Sequence, residues 1–407
     1  MSGMLILGLI VLFGFISGEA ARKIGLPKVT GFILAGIILN PRLTNIVTMD
    51  FAEHTDIVIS IALAFITFEV GGSLHYSKIK KLGKSILYIT FFEGEFAFLA
   101  TAAGIALVSP FFVHVSGTSF SALFIPIGLL MGSLASPTDP SATLAIVHEN
   151  KAKGPVSSTI MGIAALDDTL GIINFSIAAA VSLVLVEHKS LDLHSSFISP
   201  AYKIFGAIGF GVISGVIFNV LTFRLRSETE GALIVSILAM LTLSFGISSL
   251  AGVDELLTIM TAGAVVVNFS SKKEQIFRML ERYTDELIFV VFFTMSGMQL
   301  DFSIFLAYLP LALFFAFFRA FGKISGAVLG AAAAKSPHKV KKYAWGGLIP
   351  QGGIVIGLAL LIKQNPAFTN FADIIISIII GATVVHELIG PVISRKMIQA
   401  AGEIKRK

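Results

Sequence analysis

An all-α polytopic membrane protein is the fold class this chain predicts, and three observations carry the prediction. Of its 407 residues, 55% are hydrophobic and only 14% are charged, against about a quarter charged in soluble domains. Apolar runs of spanning length recur along the whole chain, and its basic residues gather in alternate loops. The mean hydropathy is +0.88. A soluble globule cannot cover that much apolar surface, because a solvated exterior needs polar side chains. Lipid supplies the missing partner. The net charge of +5 reads as Lys and Arg in cytoplasmic loops rather than as a nucleic-acid surface. With no cysteine, disulfides, thiolate metal sites and cysteine nucleophiles are excluded.

A spanning helix needs about 20 mostly apolar residues. Such runs lie near 3–20, 28–41, 56–74, 85–108, 119–148, 156–186, 201–224, 229–250, 253–270, 285–300, 302–334, 340–363 and 371–398. That predicts thirteen spans. The first run lacks a positive n-region and a cleavage site, so it reads as a span and not as a signal peptide. The polar stretch Ser270 to Glu286 carries Ile276, Phe277 and Leu280 at helical spacing and predicts a short interfacial helix.

The loops test the count. One side collects Arg22, Lys23, Lys28, Lys78, Lys80, Lys81, Lys84, Lys151, Lys153, Arg224 and Arg226. It also takes Lys272, Lys273, Arg278, Arg282, Lys335, Lys339, Lys341, Lys342, Arg395, Lys396, Lys405, Arg406 and Lys407. The other side holds only Arg42, Lys189, Lys203 and Lys363. A wrong count would scramble this split. It predicts an external N-terminus and a cytoplasmic C-terminus.

Two basic residues, Arg319 and Lys323, remain inside a span. A charge at bilayer depth costs at least about 2.5–3.5 kcal/mol, so an intramembrane ionisable residue is a functional candidate. The strongest cluster is Asp167-Asp168, midway along the sixth span. Neighbours on a helix project about 100° apart, so one carboxylate can face a cavity and the other a neighbouring helix. A carboxylate there can trade a proton for a hard cation. Pairing with buried cations, and nothing more, is the plainer alternative.

The fifth span carries Ser136-Pro137-Thr138-Asp139-Pro140. Two prolines three apart remove backbone donors and break the helix, which is tolerable at this depth only beside protein or a wet cavity. The freed carbonyls can bind a cation, and Asp139 can neutralise a half-helix N-terminus. Seven spans later Pro350-Gln351-Gly352-Gly353 interrupts the twelfth span. The odd offset runs the two broken helices in opposite directions, which is an inverted repeat. Arg319 and Lys323, four apart, share one face of the eleventh span and offer counter-charges. Glu69, Glu93, Glu95 and Glu387 read as structural pairing groups more than as ligands, while His386, beside Glu387, can titrate near neutral pH and is left open.

These motifs together resemble the cation:proton antiporter superfamily over nearly the whole chain. The opening Gly18-Glu19-Ala20-Ala21-Arg22-Lys23-Ile24-Gly25-Leu26-Pro27, with Gly31 to Gly36 and Asn40-Pro41, looks like its N-terminal signature. Thr138-Asp139-Pro140, Asp167-Asp168 and Gly322-Lys323 match the NapA-like, electrogenic Na⁺/H⁺ branch, and Glu387-Leu388-Ile389-Gly390-Pro391 recurs in bacterial members. The prolines on both sides of Thr138-Asp139 are more like the electroneutral branch. Kef-type relatives carry Gln-Asp at the pair and add a cytoplasmic nucleotide-binding domain, which is not expected here.

The resemblance implies two broken helices crossing at the bilayer midplane, as in NapA- and NhaA-like folds. It implies a single transmembrane domain with a mobile core (helices near 85–186 and 302–398) and a dimer part (near 1–84 and 201–300). It further implies a homodimer in a prokaryotic inner membrane, moving elevator-like to exchange Na⁺ or Li⁺ for H⁺. Na⁺ would bind at Asp168, Asp167 and Thr138. K⁺/H⁺ antiport with the same site and Na⁺-coupled symport of an organic solute are the alternatives. No cofactor and no enzymatic activity are expected, since no nucleophile–base set or metal motif occurs.

Overall fold

The computed structural model describes residues 3–44, 46–48, 51, 55–81, 83–113, 119–139, 147, 152–164, 166–187, 198–224, 229–283 and 287–404. Pro140 lies outside these, as do Lys151, Lys189, Arg226, Lys405, Arg406 and Lys407. The described chain is helical almost throughout. In order the helices are α1 (Gly3–Lys23), α2 (Lys28–Ile38), α3 (Pro41–Thr44), α4 (Asp56–Ser73), α5 (Tyr76–Lys81), α6 (Lys84–Val108) and α7 (Phe120–Ser133). Next come α8 (Pro155–Ala164), α9 (Asp167–Val186), α10 (Ser199–Arg224), α11 (Glu230–Ala251), α12 (Glu255–Phe269) and α13 (Lys273–Tyr283). The chain finishes with α14 (Phe289–Met298), α15 (Phe302–Ala307), α16 (Leu309–Ala333), α17 (His338–Tyr343), α18 (Ile354–Gln364) and α19 (Ala372–Ala400).

Eight segments among the described residues are long and apolar enough to cross a membrane, and five further apolar helices have 10–17 residues. Each of the thirteen predicted runs holds one of these. Two of the short ones flank the proline breaks: α7 ends at Ser133, four residues before Pro137, and α18 starts after Pro350-Gln351-Gly352. The sixth run lies in one apolar segment, 155–186, but Leu166 leaves helical geometry within it, so Asp167 and Asp168 occupy the first turn of α9.

Local chemistry sets the ends. Ser119, Thr229 and Asp254 each accept a backbone N–H of the following helix, satisfying an orphan donor. Gly252 closes α11 at φ 66°, where only glycine sits without cost.

The chain forms two compact units. One comprises residues 56–81 and 189–292. Its core gathers Phe68, Phe218, Leu233, Ile237, Ile259 and Leu280. In it α4 and α12 cross at Gly71 and Gly263, where added Cβ atoms would stand 2.1 Å from Met260 O and 2.3 Å from Phe68 O. Within the same unit α13 buries Ile276 and Leu280 of the face read from the sequence, with Met279 beside them, and leaves Phe277 half-buried.

The other unit comprises residues 1–55, 82–188 and 293–407, and it contains every residue of the candidate site. Its central contact is α6 against α16. Gly322, Gly326 and Gly330 of α16 face the α6 backbone so closely that Cβ atoms there would stand 2.5 Å from Ala97 Cα, 2.4 Å from Phe92 O and 2.8 Å from Ile89 Cα. Small residues four apart permit this approach, which in lipid replaces the hydrophobic drive as the source of helix affinity. Gly326→Val is therefore expected to cost about 1–3 kcal/mol or more, read as a lower melting temperature in detergent. Melting at the native temperature would contradict this backbone contact.

Candidate functional site

Pro137 and Pro350 lack backbone donors, so each stops a helix and leaves extended main chain in the protein interior. The two extended stretches pair with each other. Thr138 and Gln351 form an antiparallel bridge, Asp139 N donates to Pro350 O at 3.3 Å, and Gly352 N donates to Pro137 O at 3.4 Å. Among the described residues this is the sole β-type pairing. It satisfies part of what the breaks exposed, as buried main chain requires.

Arg319 satisfies more of it. Its Nη1 donates to Ile349 O at 2.7 Å, and its Nη2 to Pro137 O at 3.1 Å and Pro350 O at 3.2 Å. The planar fork of the guanidinium serves three carbonyls from both broken segments. Gln351 reaches back, its Nε2 donating to Leu134 O at 3.1 Å while its Oε1 meets His386 Nδ1 at 2.8 Å. Ser136 Oγ donates to Gly94 O, tying the first break to α6.

One turn beyond Arg319, Lys323 takes the opposite kind of partner. Its Nζ donates to Thr138 Oγ1 at 2.7 Å and lies 2.8 Å from Glu93 Oε2 and 3.4 Å from Asp167 Oδ2. Lys323, Glu93 and Asp167 are all fully buried. Lys323 thus bridges two carboxylates, and Glu93 is the nearer. Sequence reading placed Glu93 among structural pairing groups. The signal that raises it is the glycine stripe of α16, which presses Lys323 onto α6 where Glu93 stands.

Asp168 differs from Asp167. It is half-buried, and its Oδ1 is enclosed with no hydrogen-bond partner. That oxygen would lie 3.1 Å from a Cβ at Gly352, with Thr138 O at 3.2 Å, so Gly352 is the gap that lets the carboxylate reach the paired main chain. The same face of α9 packs flat on the first break, because a Cβ at Gly171 would stand 2.4 Å from Pro137 Cγ. Gly353 is filled against the Phe293 ring in the same way, at 2.2 Å. The Asp139 carboxyl faces Glu387 of α19.

The structure therefore brings together Asp168, Asp167, Thr138, Asp139, Lys323, Arg319, Pro137, Pro350, Gly352 and Gly353, while Pro140 lies outside the described residues. It adds Glu93, Gln351 and His386. The assembly offers two carboxylates, a hydroxyl and main-chain oxygens, hard donors suited to a small monovalent or alkaline-earth cation, beside a lysine that competes for one carboxylate.

The family described as sodium/hydrogen exchanger, transmembrane, matches residues 8–396. A probable Na⁺/H⁺ antiporter 2 of Methanocaldococcus jannaschii is 24% identical over 53% of this chain and 47% of its own length. A second antiporter of that organism is matched over 38% of its length, so the chain spans half or less of these two relatives. A Na⁺/H⁺ antiporter of Enterococcus hirae is 20% identical over 96% of this chain and 98% of its own. In architecture the chain is similar to the sodium proton antiporter MjNhaP1 from M. jannaschii, with a TM-score of 0.77 over 98% of both chains at 20% identity. This multi-pass integral membrane protein belongs to the sodium/hydrogen exchanger family.

Proposed function

We propose that the chain is a secondary active antiporter that exchanges Na⁺ or Li⁺ for protons. The observation that carries this reading is the enclosed, donorless Asp168 Oδ1 beside the paired breaks, one residue from an aspartate held by Lys323. A cation taken up by Asp168, Asp167 and Thr138 Oγ1 competes with the proton for Asp168 and with the ammonium for Asp167. Displacement of Lys323 from Asp167 by the cation is the proposed basis of electrogenic exchange. Thirteen spans with an external N-terminus, a homodimer, and elevator movement of the helices near 85–186 and 302–398 complete the reading; the alternating basic loops support the orientation.

Purified protein in liposomes loaded with a pH-sensitive dye tests it. Na⁺ or Li⁺ pulses are expected to move protons, and an imposed potential to change the rate. Apparent cation affinity is expected to weaken as pH falls, by up to about tenfold per unit, because a protonated carboxylate cannot ligate the cation. Affinity flat with pH would mean separate sites. A response to K⁺ alone would assign K⁺/H⁺ exchange instead, and one to an organic anion with Na⁺ would assign symport.

A further inference from the structure

The C-terminal turn of α19 reaches α8, the helix that precedes the aspartate-bearing α9. After Ala400 the chain turns at Gly402, φ 78°, with Gly402 N donating to Gln399 O at 3.0 Å and Glu403 N to Ile398 O at 3.2 Å. This is the glycine-terminated helix end in which the left-handed residue closes the last carbonyls. Lys339 Nζ fixes the turn from outside, donating to Ala401 O at 3.0 Å.

The turn places the Glu403 carboxylate on the first turn of α8. Val156 N donates to Oε1 at 2.7 Å, and Ser157 donates to Oε2 through N at 2.8 Å and Oγ at 2.7 Å. Gly154, at the start of α8, has no side chain to cap it, and a Cβ there would stand 2.3 Å from Glu403 Cδ. The helix thus borrows its cap from a residue 246 positions away. A carboxylate at this end gains charge-assisted bonds and a favourable alignment with the helix dipole. From the cap to the other end of α8, Val156, Ile160 and Ile163 are fully buried, so the helix is held in a close-packed bed that transmits displacement. Ten residues, about 15 Å, separate the cap from Ala164, three positions before Asp167.

We infer that Glu403 is a positioning residue: it clasps α8 to the end of α19 and thereby sets where the chain leaving α8 starts α9 and presents Asp167 and Asp168 to the paired breaks. This rests on the exchange reading above for its consequence in transport. The clasp itself stands on its own geometry.

Two measurements on the full-length protein test it, using Glu403→Gln and Glu403→Ala. By hydrogen exchange, the backbone amides of Val156 and Ser157 are expected to open about tenfold faster, the equivalent of one charge-assisted bond. By Na⁺-driven exchange in liposomes, the half-saturating Na⁺ concentration is expected to rise about threefold to tenfold, with the maximal rate per folded protein kept. The glutamine variant, which retains one acceptor oxygen, is expected to lie between native and alanine. Unchanged protection of Val156 and Ser157 would overturn the clasp. Increased opening with an unchanged half-saturating concentration would overturn its link to the aspartates. If the native protein moved no protons with Na⁺, the proposed function would fall, and hydrogen exchange alone would decide the clasp.

Discussion

Asp168→Asn is expected to abolish cation–proton exchange while leaving a folded, membrane-inserted protein. The substitution is isosteric, so Gly352 and Thr138 still accommodate the side chain, and the Oδ1 position stays where the structure has it, enclosed and without a donor. What disappears is the ability to hold either a proton or a cation on the same oxygen. An amide neither ionises in the working range nor supplies the negative charge that offsets removal of the ion from water. Flux should drop to the level of empty liposomes, with a melting temperature close to native. Near-normal flux would remove Asp168 from the site. Asp167→Asn is the instructive comparison, because Lys323 retains Glu93 at 2.8 Å and the site keeps one carboxylate of its own.

The second large effect concerns architecture. Replacing Arg319 with Met removes the donors to Ile349 O, Pro137 O and Pro350 O together. A buried acceptor left unmet costs about 1–3 kcal/mol; Ile349 O loses its donor outright, while Pro137 O and Pro350 O keep the N–H groups of Gly352 and Asp139, so the loss is on the order of 3 kcal/mol. The expected result is a large fall in melting temperature together with loss of exchange. Arg319→Lys should recover little, since one ammonium cannot reproduce a planar fork across two strands of main chain. A Met variant that melts like the native protein would show that the carbonyls find other partners.

Much of this arrangement was legible in the residues. Apolar run length located the helices, and the cost of intramembrane charge drew attention to Asp167, Asp168, Arg319 and Lys323. Prolines without donors marked both breaks. The interruption ahead of Asp167 was not legible, because Ala164-Ala165-Leu166 contains neither proline nor glycine and suits a helix. The roles of Arg319 and Lys323 were not separable either. A spacing of four puts them on one face, yet one meets carbonyls and the other carboxylates, and only the opposing chain decides which. The Glu403 cap was silent for the same reason: its partner Ser157 lies 246 positions away in the sequence.

The glycine face of α16 has a mechanical consequence. Backbone touches backbone at three successive turns, at Gly322, Gly326 and Gly330. Sliding α16 along α6 by one residue would rotate a larger side chain, Lys323 or Ala327, into main-chain atoms where no room exists. The two helices therefore behave as a single rod. Whatever displacement carries Lys323 through the bilayer carries Glu93 the same distance in the same direction. In the proposed elevator movement the site changes its depth in the membrane while the spacing of these two charges stays constant.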